Sequence, residues 1–158
     1  MSTSATSVRR AGPADADTVL TLVRELAAHQ DQLEHVTVTA DRWRDLLARP
    51  DVIVLVAERD GEPLGYVSVL RQVNFWAGRD ILALDDLYVR AAARNDGVGR
   101  LLMAEVARLA APEELIVRWE VNPDNHAAQR FYTRLGAALR TKVIAGWGPH
   151  RYREIAAP

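Results

Sequence analysis

An arginine, two intervening residues and two glycines one residue apart form the run Arg94-Asn95-Asp96-Gly97-Val98-Gly99. These residue types suit the binding of an anion. Glycine takes backbone angles that other residues avoid, and no side chain blocks its amide. A helix starting near Gly97 would aim several orphan N–H groups and the positive end of its dipole at one place. That place accepts a phosphate or pyrophosphate, with Arg94 as an added cation. The same pattern also serves as a plain strand–turn–helix connection without a ligand. A Walker loop is excluded, because Arg100-Leu101 follows Gly99 where Lys and Ser/Thr are needed. A dinucleotide fingerprint needs a third glycine or alanine where this chain has Leu102.

Other residues able to do chemistry are sparse. Asp85 and Asp86 are neighbours in a strand-like run, so strict alternation sends them to opposite faces and at most one faces a given site. Tyr132 follows Phe131 on a helical segment; a turn of 3.6 residues sets adjacent side chains about 100° apart, letting Phe131 face the core and Tyr132 a cleft edge. His29, His35, His126 and His150 lack metal-ligand spacing, and no metal is expected. The chain has no cysteine, which removes disulfides, thiol nucleophiles and thiolate metal sites.

The elements that must hold these residues follow from periodicity. Val8 to Ala11 reads as an edge strand, and Gly12-Pro13 opens a helix with Val19, Leu22, Val23 and Leu26 on its buried stripe. Thr39 caps a second helix carrying Trp43, Leu46 and Leu47. The apolar run Val52–Ala57 is a strand covered on both faces. Asp60-Gly61 turns it into a partner from Pro63 to Val73, with Gly65 as a bulge site, and Asp80 to Val89 follows. After the loop, Val98, Leu101, Leu102, Val106 and Leu109 mark a helix face. Leu115 to Val121 is a fifth strand; Asn122-Pro123-Asp124 starts a helix with Ala128, Phe131 and Leu135 inward and Gly136 as its C′ residue. Leu139–Ala145 and Arg151–Ile155 read as a closing hairpin. The whole is an α/β fold in one domain, residues 1–158, with residues 1–5 disordered.

Bulk properties narrow the classes. The net charge of −1 gives no nucleic-acid surface. No apolar run approaches the ~20 residues of a membrane span, and Met1–Ser7 lacks a signal-peptide core, so the expected address is cytoplasmic. Trp76 and Trp147 fall in turns, where an aromatic can line an acceptor pocket or a dimer face; a homodimer is expected.

The pattern Arg94-x-x-Gly97-x-Gly99 after Leu84-Asp85-Asp86-Leu87-Tyr88-Val89 resembles the coenzyme A loop of the GNAT acetyltransferases. A second block, Asn125-His126-Ala127-Ala128-Gln129-Arg130-Phe131-Tyr132-Thr133-Arg134-Leu135-Gly136-Ala137, is similar to another segment of that family. Trp76 through Val89 resembles the diamine and polyamine acetyltransferase branch, which has Glu-Asp where this chain has Asp85-Asp86. The resemblance implies a mixed, mostly antiparallel sheet of six or seven strands flanked by about four helices, splayed between the fourth and fifth strands. It implies acetyl-CoA as co-substrate, with Leu87, Tyr88 and Val89 pairing to the pantetheine amides and the Val89 amide facing the acetyl carbonyl. Arg94, Asn95, Asp96, Gly97, Val98, Gly99 and Arg100 would hold the pyrophosphate, while Asn125 and Phe131 flank the coenzyme. Asn95 and Asp96 depart from the usual pattern, and Asp96 sets a negative charge near phosphates unless it faces solvent or caps the helix.

By the same resemblance Tyr132 is the acid that protonates the leaving thiolate, and Asp85, through water, accepts the amine proton; the alternatives are a core aromatic and a structural carboxylate. Glu25, Glu34 and His35 lie in the segment flanking the acceptor, and Glu34, Asp86 and Trp76 are acceptor-binding candidates. The implied activity is transfer of an acetyl group to a primary amine of a small molecule such as a polyamine, diamine or amino acid. Two rivals stay open: acetylation of a protein N-terminus or lysine, and a non-catalytic acyl-CoA sensor.

Overall fold

A computed structural model describes residues 4–157 and resolves them into two compact units, one ending at Glu120 and one starting at Val121. The expected disorder of residues 1–5 falls partly outside the described residues.

The first unit contains β1 (Ser7–Arg10), α1 (Ala16–His29), α2 (Ala40–Leu47), β2 (Val52–Arg59), β3 (Glu62–Asn74), β4 (Arg79–Val89), α3 (Val98–Ala110) and β5 (Val117–Arg118). The strands form one sheet in chain order, antiparallel throughout except for the parallel β4–β5 pair. Local chemistry explains most boundaries. Pro13 opens a 3-10 turn ahead of α1. The Thr39 hydroxyl accepts from the Arg42 amide at 3.1 Å and caps α2. Asp60 and Gly61 both adopt positive φ, 53° and 78°, the geometry of a tight hairpin with the strands' own twist.

Helices cover both faces of the sheet. Val19 and Leu22 of α1 and Leu47 of α2 bury against Val54, Val56 and Tyr66. Full burial of a side chain such as Leu22 is worth about 1.5–3 kcal/mol. Val67 and Val69 alternate to the opposite face, where α3 packs with Val98, Leu102, Met103 and Val106. Leu101, expected on that stripe, is 39% exposed, and Met103 takes the inward place.

The fifth strand is shorter than expected. Only Val117 and Arg118 pair with β4, opposite Leu82 and Ala83. The apolar run around it signals partial burial, whereas pairing also requires a neighbour within reach. Beyond Ala83 the two strands separate, which is the expected splay.

The second unit holds α4 (His126–Arg134) and α5 (Pro149–Ala156). The expected hairpin of Leu139–Ala145 and Arg151–Ile155 does not form. Residues 137–148 carry no regular structure, and the second half is the helix α5. Pro149 at the first helical position, after an extended Gly148, favours that start. A helix also satisfies its own backbone, while a strand needs a partner. Among the described residues there are therefore five strands and five α-helices, against the expected six or seven strands and about four helices.

Candidate active site

Strand β4 carries the first part of the site. Asp86 pairs with Ser68 of β3 and Leu84 with Val69, which leaves Asp85 as an extra residue in a β-bulge. The Asp86 amide donates to the Ser68 hydroxyl at 3.0 Å, so a side chain supplies the acceptor at the irregularity. A bulge breaks the two-residue alternation. Strict alternation therefore does not govern Asp85 and Asp86, and the Asp85 charge raises the proton affinity of both Asp86 and the Tyr66 hydroxyl. The fully buried Tyr66 donates to Asp86 Oδ2 at 2.9 Å. Burial raises the affinity of Asp86 for a proton, the Asp85 charge raises it further, and the Tyr66 hydrogen bond pulls it back. Asp85 itself is exposed.

After the bulge, β4 pairs only with β3 among the described strands. The Arg90 amide donates to Leu64 O at 2.8 Å, and the Tyr88 carbonyl faces Gly65. In an antiparallel ladder successive residues aim their main-chain groups to opposite sides. Leu87 and Val89 therefore turn N–H and C=O groups to the edge that β5 has left. Tyr88 spends its backbone on β3, so of the three expected pantetheine partners only Leu87 and Val89 have main-chain groups to offer. An edge of this kind can take an extended ligand carrying amides, as it would take another strand. The Arg94 Nε donates to the Val89 carbonyl at 3.0 Å, tying the loop to this edge.

The loop itself has the expected form. Asn95 and Gly97 adopt positive φ, 68° and 79°. Asparagine tolerates that region and glycine favours it. Gly97 is the N-cap of α3, and no side chain caps the helix. The first bond inside the helix runs from the Leu101 amide to Gly97 O at 3.0 Å, so the amides of Val98, Gly99 and Arg100 lie in the uncapped first turn. Residues 94–97 are exposed. Uncapped amides in an accessible turn, one residue from a left-handed glycine, fit a pyrophosphate. Asp96 neither caps the helix nor stands alone: its Oδ2 lies 3.6 Å from Arg59 Nη2.

A charged clamp fixes the strand just before the loop. Arg90 donates to both carboxylate oxygens of Glu25, at 3.0 and 2.8 Å. It also reaches Glu62 Oε1 at 3.0 Å and Pro63 O at 2.8 Å. The Tyr88 hydroxyl lies 3.4 Å from Glu25 Oε2. Glu25 therefore works as an anchor between α1 and the end of β4.

In the second unit, the Asn125 side chain accepts from the Ala128 amide at 3.1 Å and caps α4. The helix starts at His126, later than expected, because Asn122 and Asp124 form a turn closed by the Asn122 side chain. It ends in a Schellman motif: Ala137 N donates to Tyr132 O and Gly136 N to Thr133 O, with Gly136 at φ 92°. Tyr132 is the buried aromatic and Phe131 is half-buried, the reverse of the expected assignment; their rings meet edge to face at 5.3 Å. Burial pushes the Tyr132 phenol above its ordinary range, so it stays protonated at neutral pH.

One acceptor candidate, Trp76, is not brought to β4's loop end. Glu34 is exposed on a 3-10 turn, 3.6 Å from His35 Nε2. Trp76 is fully exposed in the β3–β4 turn, at the opposite end of β4 from Val89. Tyr66, Ser68, Arg59 and Arg90 belong to the site's surroundings and escaped the sequence reading. Each acts across strands, and no spacing within the chain announces such a contact.

A glycine loop opens a helix, and a strand edge on an α/β sheet leads into it. The profile of the acetyltransferase (GNAT) family matches residues 20–137, and the chain belongs to that family. It is an N-acetyltransferase with acetyl-CoA as acyl donor. Thialysine N-epsilon-acetyltransferase of Bos taurus is 30% identical over 94% of this chain and 96% of its own length. Spermidine/spermine N(1)-acetyltransferase-like protein 1 of Homo sapiens is 28% identical over 92% of this chain and 22% of its own. An aminoglycoside N-acetyltransferase solved in complex with CoA superposes with a TM-score of 0.75 at 18% identity, covering 92% of this chain and 96% of that one. No described helix is long and apolar enough to cross a membrane.

Proposed function

We propose that this acetyltransferase acts on the primary amine of a small cationic molecule, a polyamine, diamine or amino-acid-like compound, by direct attack in a ternary complex. The observation that supports this reading is the bulge at Asp85, next to Asp86 on the strand that leads to the proposed coenzyme loop. Two neighbouring carboxylates favour an acceptor that arrives charged. The names of the relatives, thialysine and spermidine/spermine acetyltransferases, support the same class.

In this reading Asp85, directly or through water, takes a proton from the ammonium, and the neutral amine attacks the acetyl carbonyl. The Val89 amide stabilises the oxygen as it gains charge. The C–N bond forms, the C–S bond breaks, Tyr132 gives its proton to the leaving thiolate, and the second proton lost from the nitrogen returns the phenolate to phenol through solvent. The loop amides and Arg94 hold the pyrophosphate, so both reactants meet in one orientation.

A panel of amines with a thiol-release readout tests the proposal. Aliphatic diamines, polyamines and amino-acid side-chain amines should give the highest kcat/KM. A panel led by aniline-type amines or by peptide N-termini would overturn it.

A further inference from the structure

Asp96 presents a puzzle, because an acidic side chain in a pyrophosphate loop repels its ligand. The structure gives it a partner from outside the loop. Arg59, the last residue of β2, holds Nη2 3.6 Å from Asp96 Oδ2. The same guanidinium donates to the Thr6 hydroxyl from Nε at 3.1 Å and from Nη2 at 3.0 Å. Two bonds to one hydroxyl fix the plane of the group. The position of the residue is fixed as well. Arg59 pairs with Glu62 across the two-residue turn, and Glu62 bonds Arg90 just before the loop. The tip of the β2–β3 hairpin is thus attached to the chain on both sides of Ala91–Arg94.

We propose that Arg59 is a positioning residue of the coenzyme site: held by Thr6, it cancels the charge of Asp96 and so lets the amides of Val98–Arg100 accept a pyrophosphate. The inference rests on the reading of this loop as the acetyl-CoA site. An exposed ion pair of this length contributes little to folding. Its effect emerges when an anion arrives, since an uncompensated Asp96 would then face a second and third negative charge in the same turn.

The test is the dissociation constant of CoA, measured by calorimetry at about 50 mM and about 500 mM NaCl. Arg59→Ala should weaken binding ~10-fold at low salt, and the loss should shrink at high salt. Arg59→Lys should stay within about threefold of wild type, because it keeps the charge. Asp96→Asn should bind at least as tightly as wild type. The double variant Arg59→Ala with Asp96→Asn should regain the affinity that Arg59→Ala loses, a rescue that a merely structural arginine would not show. Thermal melts confirm the fold, and Arg59→Gln replaces Arg59→Ala if the latter does not fold. An Arg59→Ala constant within twofold of wild type, or a double variant as weak as Arg59→Ala, would overturn the inference. Gly99→Val separates the two levels of the argument. If it binds CoA as wild type does, the loop reading itself fails; if it loses CoA while Arg59→Ala keeps it, only the role of Arg59 fails.

Discussion

Among single residues, Tyr132 and Asp86 make opposed demands. A tyrosine acid must keep its proton until sulfur gains charge, and burial of Tyr132 favours that form. Tyr132→Phe preserves the ring and deletes the donor. We expect kcat to fall by roughly 10²–10⁴-fold with little change in the KM for acetyl-CoA, the mark of a transition-state interaction. The melting temperature should drop only by the equivalent of about 1 kcal/mol. A large loss of stability with kcat intact would assign Tyr132 to the core. Asp86 is a carboxylate whose burial works against its charge, with the Asp85 repulsion adding to it. Its pKa in the folded protein lies above the unfolded value. Its contribution to stability is therefore full below the unfolded pKa and is lost as pH rises through the folded one. Asp86→Asn can still accept from Tyr66 and no longer carries the charge. At pH 7 it should melt no lower than wild type while kcat/KM for a cationic amine falls at least ~10-fold. Paired melts and kinetics at pH 5 and pH 7 check this; a clear stability loss at pH 7 would show that the charge is not under strain.

At the level of elements, the decisive feature is how tightly β3 and β4 approach after the bulge in β4. An added Cβ at Gly65 would lie 2.3 Å from the Tyr88 carbonyl oxygen, and that oxygen is backbone that cannot swing away. Gly65 is therefore required for space rather than for an unusual φ. The register of β2 and β3 slips beside it, with Ala57 opposite Gly65 and Glu58 opposite Pro63, so the expected bulge is adjacent at Leu64. Gly65→Ala should cost about 1–3 kcal/mol by forcing β4 outward. The same shift moves the Leu87 and Val89 main-chain groups, so the KM for acetyl-CoA should rise together with the loss of Tm. A variant that melts like wild type would show that the strands separate without strain.

For the molecule as a whole, the chain's own chemistry limits the route of transfer. It contains no cysteine, so no acyl-thioester can form on the protein at that residue type. Direct attack requires both substrates bound before product leaves. Initial rates measured against both substrates should give intersecting double-reciprocal lines. Parallel lines would indicate a covalent acyl-enzyme and overturn the ternary route. The match to the family profile runs from residue 20 to residue 137 and so includes residues of both compact units.

What the sequence determined by itself was local. The Asp60-Gly61 hairpin, the Thr39 and Asn125 caps, the Gly136 terminus and the left-handed Asn95 and Gly97 all depend on residues within a few positions of one another. Their chemistry is readable without a fold, and the two blocks resembling the acetyltransferases are built from it. Tertiary structure decided whatever depended on a distant neighbour. Ser68 lies across the sheet from Asp86 and supplies its amide with an acceptor beside the bulge that ends the alternation of the two aspartates. Arg59 comes from the β2–β3 hairpin to within 3.6 Å of Asp96. The apolar pattern of residues 139–145 suits a strand, but a strand exists only where another one receives its hydrogen bonds, and none of the described strands does so.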